Sequence, residues 1–216
     1  MTAASLLVLV MLADGSPIQR VRIVAMGDST TAGTPGFRSP AEAPPDGQGD
    51  RTSQYAYWLM QSHPDWEVLN KGINGERSDQ IRARFDRDVV DVRPAVVVLI
   101  AGVNDVYQGR PSTHVIEHLR WMFERARAAG ICVVAGTIVP YNTATPDQNA
   151  RMREVNDWIR RQAGPKGILV ADTRAAVAAP GMPDTLSETA DQLHPTAGGY
   201  RAMADAIRPA IEQCLR

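Results

Sequence analysis

A chain of 216 residues with a formal net charge of −1 has room for a sizeable core and lacks the basic footprint that binding a phosphate backbone leaves. Nucleic acid is therefore not an expected partner, and no apolar run reaches the ~20 residues that span a bilayer, so integral membrane association is not expected either. The two cysteines, Cys132 inside an apolar run and Cys214 near the C-terminus, do not make a disulfide framework in so long a chain, and two separate thiols are expected.

The run Leu6 to Leu12 is apolar, but no Lys or Arg precedes it, and Met11 stands where a signal peptide cut after Ala13 would need a small residue. A secretory-signal remnant and an extra packed segment fit this stretch equally well. Residues 1–20 are read as an N-terminal extension and residues 21–216 as a single domain. The protein is secreted or periplasmic if residues 1–13 are such a remnant, and cytoplasmic otherwise.

Val21-Arg22-Ile23-Val24-Ala25-Met26 is an apolar, β-branched run that stops at Gly27 and delivers Asp28 and Ser29. It reads as a strand covered on both faces, as in parallel sheets flanked by helices. Ligands bind at the carboxyl ends of such strands, which makes the Ser29 hydroxyl a candidate nucleophile. The following stretch to Asp50 is broken by Pro35, Pro40, Pro44 and Pro45 and is expected to be a long surface loop without regular structure. Tyr55, Trp58 and Leu59 then recur at helical spacing up to Ser62, with Thr52 or Ser53 as the cap.

Trp66-Glu67-Val68-Leu69 is a short strand leaving through Asn70-Lys71-Gly72-Ile73-Asn74-Gly75, and Ile81 and Phe85 mark the next helix. Ala95 to Ala101 is apolar throughout, as a central parallel strand should be, and ends at Gly102-Val103-Asn104-Asp105. Ser112 is expected to cap a helix with the stripe Val115, Leu119, Met122 and Ala126, closed by Gly130. Ile131 to Gly136 is a fourth strand. After a loop at Pro140-Tyr141-Asn142 comes a helix facing Met152, Val155, Trp158 and Ile159 inward and stopped at Gly164-Pro165. Ile168 to Ala171 is the fifth strand, Thr173 to Ala190 is irregular or weakly helical, and Thr196 caps a last helix carrying Tyr200, Met203, Ile207 and Ile211. Strands alternating with helices predict a parallel sheet built of right-handed β-α-β units.

Polar residues gather at the strand exits: Asp28-Ser29, Asn74-Gly75 and Asn104-Asp105, with Asp191 and His194 before the last helix. A serine hydroxyl needs a base of matched pKa, and that base needs a carboxylate to fix its tautomer. His194 is the natural base and Asp191, three residues earlier, its orienter. Acyl transfer also needs donors aimed at the developing oxyanion, which the Gly75 amide and the Asn104 side chain can supply, Asn74 being the alternative side-chain donor.

These blocks resemble those of the SGNH hydrolases, also called GDSL esterases and lipases: Gly27-Asp28-Ser29, Asn70 to Gly75, Gly102 to Asp105 and Asp191-Gln192-Leu193-His194, in the family's order. The resemblance implies a flavodoxin-like three-layer α/β/α sandwich with a five-stranded parallel sheet. It implies Ser29 as nucleophile, His194 as base, Asp191 as its partner, and an oxyanion hole of the Ser29 and Gly75 amides with the Asn104 side chain. No metal or organic cofactor is implied. Thr30 departs from the usual leucine or isoleucine, which is expected to alter packing behind the serine.

The expected activity is hydrolysis of a small-molecule carboxylic ester through an acyl-enzyme. Few aromatics near the site and a long polar loop favour acetyl or short acyl groups on sugars or small alcohols; a lysophospholipase or thioesterase is the alternative within the family. From another class, Ser29 to Thr34 also fits a flavin or phosphate cradle, which leaves Asp191, His194 and Asn104 unexplained. The pattern His114-Val115-Ile116-Glu117-His118 matches that of inverted zinc peptidases, but a partly solvated helix edge explains it more simply. Asp28 and Asp105 are read as structural. The sequence does not fix the oligomeric state.

Overall fold

The five apolar runs form five strands, β1 (Val21–Gly27), β2 (Trp66–Gly72), β3 (Val96–Ile100), β4 (Cys132–Gly136) and β5 (Ile168–Ala171). They make one parallel sheet in the order β2-β1-β3-β4-β5. This is a computed structural model, and it describes residues 20–162 and 167–216. The run Leu6 to Leu12 and the stop at Gly164-Pro165 lie outside the described residues.

Alternate strand residues face opposite layers, so the pleat sorts the core into two halves. Val24, Met26, Val97, Leu99 and Val133 pack on α2 (Ser78–Ala83), α3 (Ser112–Ala128) and α4 (Pro146–Arg160). Ile23, Ala25, Val96, Val98 and Val134 pack on α1 (Tyr55–Ser62) and α5 (Ala197–Cys214). The result is the three-layer α/β/α sandwich. Strand order reverses at β1, whose neighbours on its two sides come later in the chain, so the crossovers diverge there and leave a crevice at its carboxyl end.

Where the elements differ from expectation, the causes are local. Neither Thr52 nor Ser53 caps α1; Asp50 instead caps a separate 3-10 turn, Arg51–Ser53, and α1 begins at Tyr55. Ser112 is the first residue of α3 rather than its cap, its hydroxyl donating to Glu154 Oε2 at 2.6 Å. The proline-broken loop contains a two-residue hairpin, Phe37–Arg38 with Gln48–Gly49. Between Thr173 and Ala190 a helix, Thr173–Val177, capped by Asp172, leads into the hairpin of Ala178–Ala179 with Met182–Leu186. Thr196 does cap α5, accepting from the Gly199 amide.

The expectation of two separate thiols is overturned: Cys132 and Cys214 form a disulfide, with Cα atoms 5.9 Å apart. The last turn of α5 lies over the start of β4, and both cysteines pack at the edge of the same core half. That approach joins residues 82 apart in sequence, which cysteine counting does not reveal.

Candidate active site

β1 ends where its neighbour leaves no room for a side chain: a Cβ on Gly27 would stand 2.3 Å from the Ile100 carbonyl oxygen of β3. The backbone then turns into one buried helical turn, Ser29–Ala32, whose first orphan donors Asp28 meets by accepting the Thr30 amide at 3.0 Å. Ser29 is thereby fixed at the head of the turn, in the crevice.

The loop before α5 is shaped by one carboxylate. Asp191 Oδ1 accepts from the Leu193 and His194 amides at 2.9 and 2.8 Å, leaving Oδ2 2.7 Å from His194 Nδ1. The other ring nitrogen, Nε2, lies 3.0 Å from Ser29 Oγ. Partial burial pushes the Asp191 carboxyl up, but hydrogen bonds from the His194 ring and the two amides outweigh it and hold the group at about 2. It is a fixed negative charge under the imidazole at any physiological pH.

A cavity of about 200 Å³ opens beside these groups, lined by Ser29, Thr30, Asn74, Val103, Asn104, Tyr107, Tyr141, Leu193 and His194. Asn104 Nδ2 gives one hydrogen to the Glu76 carbonyl at 2.9 Å and has a second to offer. Gly75 follows Asn74 of the cavity wall with φ +77°. Thr30, itself buried, also borders the cavity. Two tyrosines line the cavity where few aromatics were expected. Tyr107 is 57 % exposed at one side, its ring centroid 5.9 Å from that of buried Tyr141.

The acidic neighbours are structural in their contacts. Asp105 is buried and holds the start of α2, accepting from the Ser78 amide and hydroxyl at 2.8 and 2.7 Å. Burial, helped by the Asp105 and Glu76 charges and opposed by the Thr30 hydrogen bonds, raises the Asp28 carboxyl to about 7. Its Oδ2 has no hydrogen-bond partner among the described residues.

Two rival readings meet opposing contacts. Thr31 Oγ1 accepts from the buried Tyr55 hydroxyl at 3.2 Å, so that hydroxyl faces the core instead of a phosphate. On α3 the His114 ring turns to Asp105, whereas His118 Nδ1 meets the Arg82 guanidinium at 3.1 Å, so the two rings have different partners. Desolvation, His114 and Arg82 together lower the His118 pKa.

Residues 25–202 match the GDSL-like Lipase/Acylhydrolase family. The chain belongs to this family. Membership supports carboxylic-ester hydrolysis as its chemistry. An acetylxylan esterase of Geobacillus stearothermophilus is 26 % identical over 209 residues, covering 86 % of this chain and 91 % of that protein. An uncharacterized lipoprotein, YqeF, of Bacillus subtilis (strain 168) is 31 % identical over 80 residues, 34 % of this chain and 33 % of that protein, so the chain matches only a third of that relative's length. Among solved structures, a GDSL-like lipase of Bacteroides thetaiotaomicron VPI-5482 superposes with a TM-score of 0.71 at 25 % identity, covering 89 % of this chain and 88 % of the other. Among the described residues of this GDSL-family chain, no helix is long and apolar enough to cross a membrane.

Val103, Tyr107, Tyr141 and Leu193 were not singled out as cavity walls from the sequence. The signal was there for two of them: Tyr107 follows Asn104 by one helical turn, and Leu193 precedes His194.

Proposed function

We propose that the chain is a serine esterase that removes acetyl or short acyl groups from sugars or small alcohols through an acyl-enzyme. The observation that carries the reading is the continuous chain of contacts from Asp191 Oδ2 through the His194 ring to Ser29 Oγ, at 2.7 and 3.0 Å. Asp191 keeps the proton on His194 Nδ1, so Nε2 is free to accept the Ser29 proton as Oγ attacks the ester carbonyl. The Ser29 and Gly75 amides and the second hydrogen of Asn104 Nδ2 stabilise the tetrahedral oxyanion. His194 then protonates the leaving alcohol, and water, activated by the same ring, releases the acid.

The preference for small acyl groups rests on the modest cavity beside Ser29 and on the acetylxylan esterase relative. Tyr107, broadly exposed beside the nucleophile, is a flat apolar face of the kind a sugar ring stacks on. The test is hydrolysis of p-nitrophenyl esters from acetate to octanoate by wild type and Ser29→Ala. Turnover that is greatest at acetate and absent in the variant is the expected result. A maximum at octanoate redirects the substrate to lipids, and turnover surviving in the variant ends the serine reading.

A further inference from the structure

The turn bearing Gly75 projects into open space. A Cβ built on Gly75 meets no atom within 4 Å, so glycine is required there by its positive φ and not by crowding. Where packing does not fix a turn, hydrogen bonds must: the Glu76 amide closes this one on the Ile73 carbonyl at 3.4 Å, the Ile73 amide ties it to the Gly27 carbonyl at 3.1 Å, and side chains hold it at three further points. Behind it, the buried Arg84 guanidinium donates to Glu76 Oε2 at 2.7 Å and to the Gly27 carbonyl, next to the nucleophile's loop, at 3.0 Å. At its trailing end the Glu76 carbonyl accepts from Asn104. At its leading end the Asn74 amide donates to Glu42 Oε1 at 2.9 Å.

Glu42 belongs to the proline-broken loop, 32 residues away in sequence from the amide it accepts. It is itself held: its Oε2 accepts from the Ser39 amide at 3.2 Å, and the buried Ser39 hydroxyl donates to the Gly72 carbonyl at 2.6 Å. The loop is thus strapped to the end of β2 on both sides of Ile73.

We propose that Glu42 is a positioning residue for ester hydrolysis, its carboxylate fixing the Asn74–Gly75 turn so that the Gly75 amide faces the carbonyl oxygen as that oxygen becomes charged. The proposal rests on the esterase reading above. Glu42 is not among the residues that line the cavity, and its side chain bonds the Ser39 and Asn74 amides. Acylation and deacylation both pass through an oxyanion, so a misaimed donor slows kcat and leaves substrate binding alone. A loop acting only as a wall of the binding site would move KM instead.

The experiment compares wild type, Ser29→Ala, Glu42→Ala and Glu42→Gln on p-nitrophenyl acetate, with amide hydrogen exchange at Asn74 followed by NMR. Glutamine keeps an acceptor for the Asn74 amide but puts an NH₂ where Oε2 meets the Ser39 amide, and alanine removes both acceptors. Glu42→Ala is expected to lose about tenfold in kcat, short of the ~10²–10³ that a whole oxyanion donor is worth, with KM unchanged. Its Asn74 amide exchanges faster, and Glu42→Gln restores both readouts to within about twofold. A raised KM with kcat intact, equal losses in both variants, or unchanged Asn74 exchange beside normal wild-type turnover overturns the strap. No Ser29-dependent turnover in the wild type sinks the esterase reading first and the catalytic role of Glu42 with it.

Discussion

His194 reaches Ser29 across 165 residues of chain, ring nitrogen to hydroxyl at 3.0 Å, while the same ring is held by a carboxylate only three residues before it. The long-range contact is therefore preset by a local one. Asp191→Asn keeps Oδ1 to accept the two loop amides but puts an NH₂ where the ring needs an acceptor. The variant is expected to lose ~10²–10⁴ in kcat, with a melting temperature close to wild type. Steady-state kinetics and calorimetry on one preparation check both halves.

Asn104 supplies one hydrogen to Glu76 and, on the proposed mechanism, one to the oxyanion. Asn104→Ala is expected to cost ~10²–10³ in kcat. Asn104→Asp, nearly the same shape but negative and without donors, should be at least as damaging. An aspartate variant more active than the alanine one would argue against any donor role for Asn104.

Asp28 makes stability fall as pH rises. Its carboxyl titrates at about 7 when folded, because of burial, and at 3.8 when unfolded. Below 3.8 both states hold the proton. Between 3.8 and 7 only the folded state does, so raising pH through this window favours unfolding, and above about 7 the loss is complete. The drop is on the order of 4 kcal/mol for a group so fully buried. Denaturant midpoints from pH 4 to 8 should fall in wild type and fall much less in Asp28→Asn; parallel profiles would mean that the carboxyl is ionised throughout.

The Cys132–Cys214 disulfide closes a loop with a sequence separation of 82. The chain-entropy relation puts its contribution on the order of 4 kcal/mol. Reduction, or the double change Cys132→Ala with Cys214→Ala, should lower the melting temperature by roughly 10 °C in a domain of this size. An unchanged melting temperature under reductant, with both thiols titrated as free, would show that the bond adds nothing.

The sheet and the blocks at its strand ends were legible because they are local. An apolar run ending in glycine and a polar residue is written in adjacent letters, and so is the Asp191–His194 pair. What was not legible comes from approaches between distant segments: Arg84 on the Gly27 carbonyl, Glu42 on the Asn74 amide, Cys132 on Cys214. The strands Phe37–Arg38, Gln48–Gly49 and Ala178–Ala179 escaped for a different reason, since two residues are too few to set a period. Tyr141 follows Pro140 in an irregular loop, where no periodicity announces which way a ring will turn.

The separation of Ser29 from His194 also orders events in time. β1 is the first strand of the sheet to be synthesised, and α5, which carries the His194 loop onto it, is the last helix. If Ser29 and His194 act as proposed, a growing or refolding chain thus possesses its nucleophile long before its base, with four parallel crossovers to close between them. On the proposed mechanism the enzyme is inert until that closure is complete, and a fluorogenic ester present during refolding would turn over only when the two ends of the fold meet.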